Sequence, residues 1–299
     1  MLKAIPFSYA NTVATMASTS NHRWTMPRIP IEDNFADVIG KAQRGWNISD
    51  EDLAKRAEVT LGDLAAVKAG SPNIAVIRRV SRHLRLSPDA MEVLTTQQFY
   101  PYAPDYKRGF AMFNTLHEGM GVNSYMVWDT RTKTAAVFDT GASCTEMLDL
   151  VQAEGLKIEY IFITHAHEDH IADLAKLHES THAEVWISEL ETLDFPGVKH
   201  FKENAHFHIG ALAIKTLLTS GHSPGQTTFY ITGLSWPLAV VGDSIFSSSV
   251  GGSKTHFDEQ LRNVRGKIFS LPADTVLACG HGPLTTLNQE KANNPFFKR

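Results

Sequence analysis

The chain has 299 residues, enough for about two domains with a sizeable buried core. Hydrophobic residues make up 43% and charged residues 20%, with a formal net charge of -4. This is the composition expected of a soluble protein, and it excludes the overall basic excess of a general nucleic-acid binder. No run approaches the roughly 18 consecutive apolar residues of a membrane-spanning helix, so no membrane partner is expected. The first residues also lack an unbroken apolar signal region. Cys144 and Cys279 are the only two cysteines, and their spacing suits neither a disulfide framework nor a paired zinc clip, so a reducing, cytoplasmic setting is the simplest reading.

In chain order, residues 1–33 read as an N-terminal arm. Residues 34–96 carry helical grammar, with apolar residues three and four apart at Phe35, Val38 and Ile39 and again at Val76, Ile77, Val80 and Leu84. Ser49 stands as an N-cap with Asp52 three residues on, "EVT" makes a short turn, and a second short helix runs to Gly70. A third follows before Ser87 and Pro88 open another. With Leu53 and Ala54 on the first helix of the pair, Val59 in the turn, and Leu64 and Val67 on the second, the segment resembles the helix-turn-helix domains of phage repressors. That resemblance implies DNA contact by the second helix. Its side chains there, Thr60, Asp63 and Lys68, are poor base readers, however. Arg78, Arg82 and Arg85 form a basic stripe that could be a solvated face, a phosphate contact or a partner surface. Packing or homodimerisation is therefore the preferred use of this domain over DNA binding.

Residues 97–109, rich in Tyr and Pro, read as a linker. From 110 to 299 the grammar turns to short strands: "FAMFN", "SYMVWD", "AAVFD", "EYIFIT", "EVWIS" and "TTFYI". Helical segments intervene near Cys144–Ala153, Ile171–His178 and His256–Phe269, so an α/β domain is expected.

After the apolar run Ile158–Ile163 stands "THAHEDH", in which His165, His167, Asp169 and His170 sit between a strand and a helix. Histidine nitrogens and carboxylates at such spacing suit zinc, and also iron or manganese, and one loop of this kind could serve two ions. Other strand ends offer further ligands: His222 in "SGHSPGQTTF", Asp243 in "AVVGDSIF" and His281 in "LACGHGPL". Each stands beside glycine, which lets the backbone bend and the side chain enter a common mouth. The remaining histidines, including His206 and His208 on one face of a strand, are read as ordinary surface or core residues. Cys279 is read as a buried core thiol. Glu168 and Lys254 are candidate substrate contacts.

The order and context of these residues resemble the metallo-β-lactamase fold superfamily. HxHxDH matches His165, His167, Asp169 and His170, and the later His, Asp and His match His222, Asp243 and His281. The resemblance implies a four-layer αββα sandwich with two divalent metal ions, zinc first among them. One ion would be held by His165, His167 and His222 and a second by Asp169, His170 and His281, with Asp243 bridging and Asp139 supporting a ligand. The C-terminal motifs look most like compact glyoxalase II enzymes, though "GGSK" at 251–254 departs from that pattern. The expected chemistry is thioester or ester hydrolysis on a small molecule, by a hydroxide bridging the metals, with Asp169 orienting it or moving its proton. Alternatives are a mononuclear iron persulfide dioxygenase, a lactonase or β-lactamase-like hydrolase, and a ligand- or metal-sensing DNA-binding regulator.

Overall fold

The structure is a computed structural model that describes residues 28–104, 106 and 108–298. Most of the expected arm, 1–33, therefore lies outside the described residues, as does His22.

Five helices come first: α1 Phe35–Gly45, α2 Asp50–Ala57, α3 Leu61–Lys68, α4 Ile74–His83 and α5 Pro88–Thr95. Each begins where a short polar side chain accepts a backbone N–H of the first turn: Asn34, Ser49, Thr60, Asn73 and Ser87. Such a cap is worth about 1 kcal/mol and fixes each start locally. The polar residues expected on α3 are occupied within the molecule. Thr60 donates to Asp63 at 2.6 Å, and Lys68 pairs with Asp50 at 2.6 Å. Two arginines of the basic stripe are also engaged. Arg78 pairs with Asp89 and Glu92 at 2.7 and 2.6 Å, and the Arg85 guanidinium lies 4.3 Å from the Trp46 ring centre.

Two six-stranded mixed sheets follow. The first has the order β1-β2-β3-β4-β5-β6. Its strands are β1 Phe110–His117, β2 Met120–Trp128, β3 Thr134–Phe138, β4 Lys157–Phe162, β5 Glu184–Ser188 and β6 Lys199–Phe201. The second, β12-β11-β10-β9-β8-β7, contains β7 His206–Ile209, β8 Leu212–Leu218, β9 Thr227–Thr232, β10 Leu238–Gly242, β11 Val276–Cys279 and β12 Thr285–Thr286. The sheets face each other across an aromatic core. Phe162 stacks on Phe138 and packs against Phe207 edge-on and Phe229 at a tilt, with ring centres 5.5, 4.8 and 5.1 Å apart. Outside the first sheet lie α6 Thr145–Glu154 and α8 Leu174–Thr181, whose apolar faces cover Ile161, Val185 and Ile187. The result is an α/β sandwich.

The outer face of the second sheet is covered in an unexpected way. Val241, Leu277 and Cys279 share one continuous core with α9 Phe257–Asn263, Phe296 and the N-terminal helices, including Ile39, Leu53 and Leu84. Trp46 meets Phe257 edge-to-face at 5.1 Å, and Ser87 N–H donates to the Pro295 carbonyl at 2.8 Å. The helical segment spends its apolar side on the sandwich.

Three local expectations shift. The helix read at Ile171–His178 is α8, preceded by a separate turn α7, Glu168–Ile171. The helix read at His256–Phe269 is α9 followed by a π-helical turn, Val264–Ile268. β8 went unread because "LAIKTLL" places Ala and Lys at half-buried positions, which weakens its alternation.

The sheets place the site through their parallel pairs. β3 and β4 run parallel, as do β10 and β11, so Asp139, the loop after β4, Asp243 and His281 all emerge at strand carboxyl ends. Backbone bonds tie these ends across the sandwich: Asn123 N–H donates to Gly280 at 2.8 Å and Thr227 N–H to Thr164 at 3.0 Å.

Candidate metal centre

All seven residues read as ligands come together, with Asp139 beneath them. Three groups have mutually close donor atoms: His165, His167 and His222; His165, His170 and Asp243; and Asp169, His170 and His281. His167 Nδ1 lies 3.0 Å from both His165 Nε2 and His222 Nε2. Asp169 Oδ2 lies 3.3 Å from His281 Nε2 and 3.4 Å from His170 Nε2. Asp243 stands between the groups, with Oδ1 3.4 Å from His170 and Oδ2 3.4 and 3.5 Å from His222 and His281. Ligand bonds of about 2.0–2.1 Å in a tetrahedron set donor atoms roughly 3.3 Å apart, and these separations are of that size.

The histidine tautomers follow from their outer partners. His170 Nδ1 donates to Asp139 at 2.9 Å, His222 Nδ1 to the Gly252 carbonyl and His281 Nδ1 to the Gly121 carbonyl, each at 2.7 Å. Thr164 Oγ1 donates to Asp139 at 2.8 Å, so its lone pair accepts His165 Nδ1–H at 3.0 Å. In all four rings the proton is held outside and the bare Nε2 faces inward, the arrangement of metal-ligating histidine. Buried His170 Nε2 and Asp243 Oδ1 have no hydrogen-bond partner. Lone pairs that converge without donors suit a cation, and the residues fit one or two divalent ions.

Charge tells the same story. Burial alone would lower His281 and His170, but the carboxylates outweigh it. Asp243, with Asp169, lifts His281 to about 11, and Asp139, with Asp243, lifts His170 to about 10. Against burial, His281 and His222 hold the Asp243 carboxyl well below its ordinary range. At the other two rings burial outweighs the pull of Asp243, driving His165 well below the ordinary histidine value and lowering His222. The centre demands positive charge, and metal and protons compete for the same Nε2 atoms.

Side chains far away in sequence hold the ligand loops, and they carried no motif. Glu191 accepts Ser223 Oγ and Gly225 N–H on one oxygen, at 2.5 and 2.7 Å, and Ala166 N–H on the other at 3.2 Å. It clamps the His165–His167 loop to the His222 loop. Buried Gln260 donates to the carbonyls of Asp243, Ser244 and Gly251, while Tyr125 and Asn123 donate to Cys279 beside the His281 turn. Gly280 is required by close approach, since a Cβ there would run into Asp243 Oδ1. Cys279 is buried with its thiol pushed well above the ordinary value, and Cys144 is pushed to about 12, both first by burial. Neither is an activated nucleophile. His206 and His208 sit exposed on β7, and Glu168 is exposed beside the centre.

Residues 117–281 match the model of the metallo-beta-lactamase superfamily, more than half of the chain, and the protein belongs to that superfamily. Its members bind divalent metals, often two. Among its relatives, the probable metallo-hydrolase YqgX of Bacillus subtilis is 28% identical over 183 residues, 54% of this chain and 86% of that one. The hydroxyacylglutathione hydrolase GloC of Haemophilus influenzae is 24% identical over 198 residues, 58% of this chain and 92% of that one. The solved structure of TTHA1623 in a di-iron-bound form is 28% identical, with a TM-score of 0.51 over 62% of this chain and 99% of that one. The protein is thus a metal-binding member of a hydrolase superfamily. Among the described residues, no helix is long and apolar enough to cross a membrane.

Proposed function

We propose that the protein is a binuclear metal-dependent hydrolase of a small thioester or ester, with zinc the first candidate metal. His165, His167 and His222 hold one ion, Asp169, His170 and His281 the other, and Asp243 lies between. The observation that carries this reading is the pair of adjacent ligand sets sharing Asp243, with four of the five histidine tautomers set by an outer partner. When bound, the ions supply an acidified water and polarise the substrate carbonyl.

The chain's own part is positioning and proton handling. Asp169, half-buried at the mouth, is held below its ordinary value: burial opposes this, but the His281 hydrogen bond and His170 outweigh it. Asp169 would orient the attacking water or take up its proton. A thiolate, with a reference pKa near 8.5, leaves with little acid help, which suits a site whose acidic groups are all spent on ligation. The GloC relative, named for hydroxyacylglutathione hydrolysis, supports thioesters over lactones. The helical segment 34–96 serves as a packing domain joined through 97–109 to the sandwich of 110–299.

The test is metal content by elemental analysis, with S-lactoylglutathione turnover measured on the same sample. Near two metals per chain with hydrolysis is expected, and His167→Ala and Asp243→Ala should abolish turnover while remaining folded. Full activity in both variants would overturn the site. One iron per chain with oxygen uptake on glutathione persulfide would replace hydrolysis by persulfide oxidation.

A further inference from the structure

The wall of the metal centre is shared with the N-terminal helices. The segment before α1 lies on the turn after His281, where a Cβ added at Gly282 would stand 3.2 Å from the Glu32 backbone nitrogen. α1 then passes the loop after β10, and Lys41 Nζ donates to the Val250 carbonyl at 2.9 Å. Between α1 and this loop is a cavity of about 220 Å³ lined by Lys41, Arg44, Gly252, Ser253 and Lys254. The carbonyl of Gly252 is the one that accepts His222 Nδ1–H at 2.7 Å. A single peptide therefore joins the cavity wall to a metal-ligand candidate.

Three of these five lining residues are cations and none is an acid. Lys41 is partly neutralised, since it pairs with Asp33, which also accepts Ser249 Oγ. Arg44 and Lys254 are exposed and make no ion pair among the described residues. Arg44 lies back along α1, close enough that a Cβ at Gly40 would stand 2.9 Å from its guanidinium. Like charges gathered round one cavity repel until an anion enters. The cavity has room for an anionic group of a substrate. Gly252 marks the side on which the metal centre lies.

We propose that this cavity is the anion subsite of the substrate pocket, and that α1 thereby selects thioesters or esters whose leaving group carries a carboxylate or phosphate. The proposal rests on the hydrolase reading above. Arg44 and Lys254 supply the charge, and Lys41 fixes the loop that carries Ser253 and Lys254 against α1. In this arrangement the helical domain is part of the substrate site as well as a packing layer.

The test uses full-length, metal-loaded protein and the double variant Arg44→Ala/Lys254→Ala. Calorimetric binding is measured for two non-hydrolysable probes, S-methylglutathione for carboxylate and desulfo-coenzyme A for phosphate. Turnover is measured on the corresponding acyl thioesters and on neutral S-acetyl-N-acetylcysteamine. At least one probe should bind the wild type and bind the variant roughly tenfold more weakly, the scale of losing charge-assisted hydrogen bonds at a partly exposed site. KM for the matching thioester should rise by the same factor, with neutral-thioester kinetics, Tm and metal content unchanged. The tighter probe identifies the anion. Equal binding by both proteins, or no binding of either probe to the wild type, overturns the proposal. Binding that depends on Arg44 and Lys254, with no thioester hydrolysed by the wild type, upholds the subsite and overturns the thioester reading.

Discussion

Asp139→Asn isolates the electrostatic and tautomeric control of the metal centre from its shape. Asp139 sits at φ +58, a left-handed conformation that asparagine tolerates as well as aspartate, so the backbone gains no strain. The carboxylate receives three hydrogen bonds: Thr164 N–H at 2.7 Å on Oδ1, and Thr164 Oγ1 at 2.8 Å and His170 Nδ1 at 2.9 Å on Oδ2. An amide can keep its oxygen toward Thr164 N–H only by turning its NH2 toward His170 Nδ1. The His170 proton then moves to Nε2, the atom that faces Asp169 and Asp243. Loss of such an outer partner typically weakens metal affinity by about 10–100-fold, or roughly 1.4–2.7 kcal/mol. Competition against a chelator of known affinity would measure it, with zinc and apo protein at fixed pH. Unchanged affinity for both ions in a folded Asp139→Asn protein would refute the tautomer argument.

Glu191→Ala removes the clamp between the two histidine loops. It should lower stability by about 1–3 kcal/mol and metal affinity by roughly tenfold, read by thermal unfolding and chelator competition. Wild-type values for both would mean the loops hold themselves. Glu290, fully buried beneath Thr285, Ser248 and Asn294, is pushed up to about 7 by burial from an ordinary 4.5. The folded state therefore keeps a proton that the unfolded chain loses, so stability present at low pH is lost as pH rises from about 4.5 through about 7. The loss is about 3 kcal/mol in all. In Glu290→Gln the amide can donate to Thr285 and still accept from Ser248 and Asn294, and the difference between the two denaturation curves should shrink below pH 5 and favour glutamine above pH 7. Parallel curves across that range would refute it.

How much of this was legible in the chain depends on the range over which each cause acts. Helix starts at Ser49 and Ser87 could be read because a cap and its N–H partner lie within three residues. The ligands could be read for a similar reason: an apolar strand ending in a glycine-containing loop is a local pattern, and His165 to His170 needs only a few residues to state its chemistry. The sequence by itself thus determined the caps, most strands and the residue types of the centre. Only the tertiary structure decided what surrounds them. Glu191 reaches Ala166 and Gly225 across 25 and 34 positions, and Lys41 reaches Val250 across 209. Contacts at such separations leave no periodicity or spacing behind. The same applies to the neutralisation of Arg78 by Asp89 and Glu92, and to the single core that α1 and α4 share with α9 and the outer sheet face. An amphipathic helix announces that it will bury one face. Which surface covers that face is set by packing between elements that meet only when the whole chain has folded.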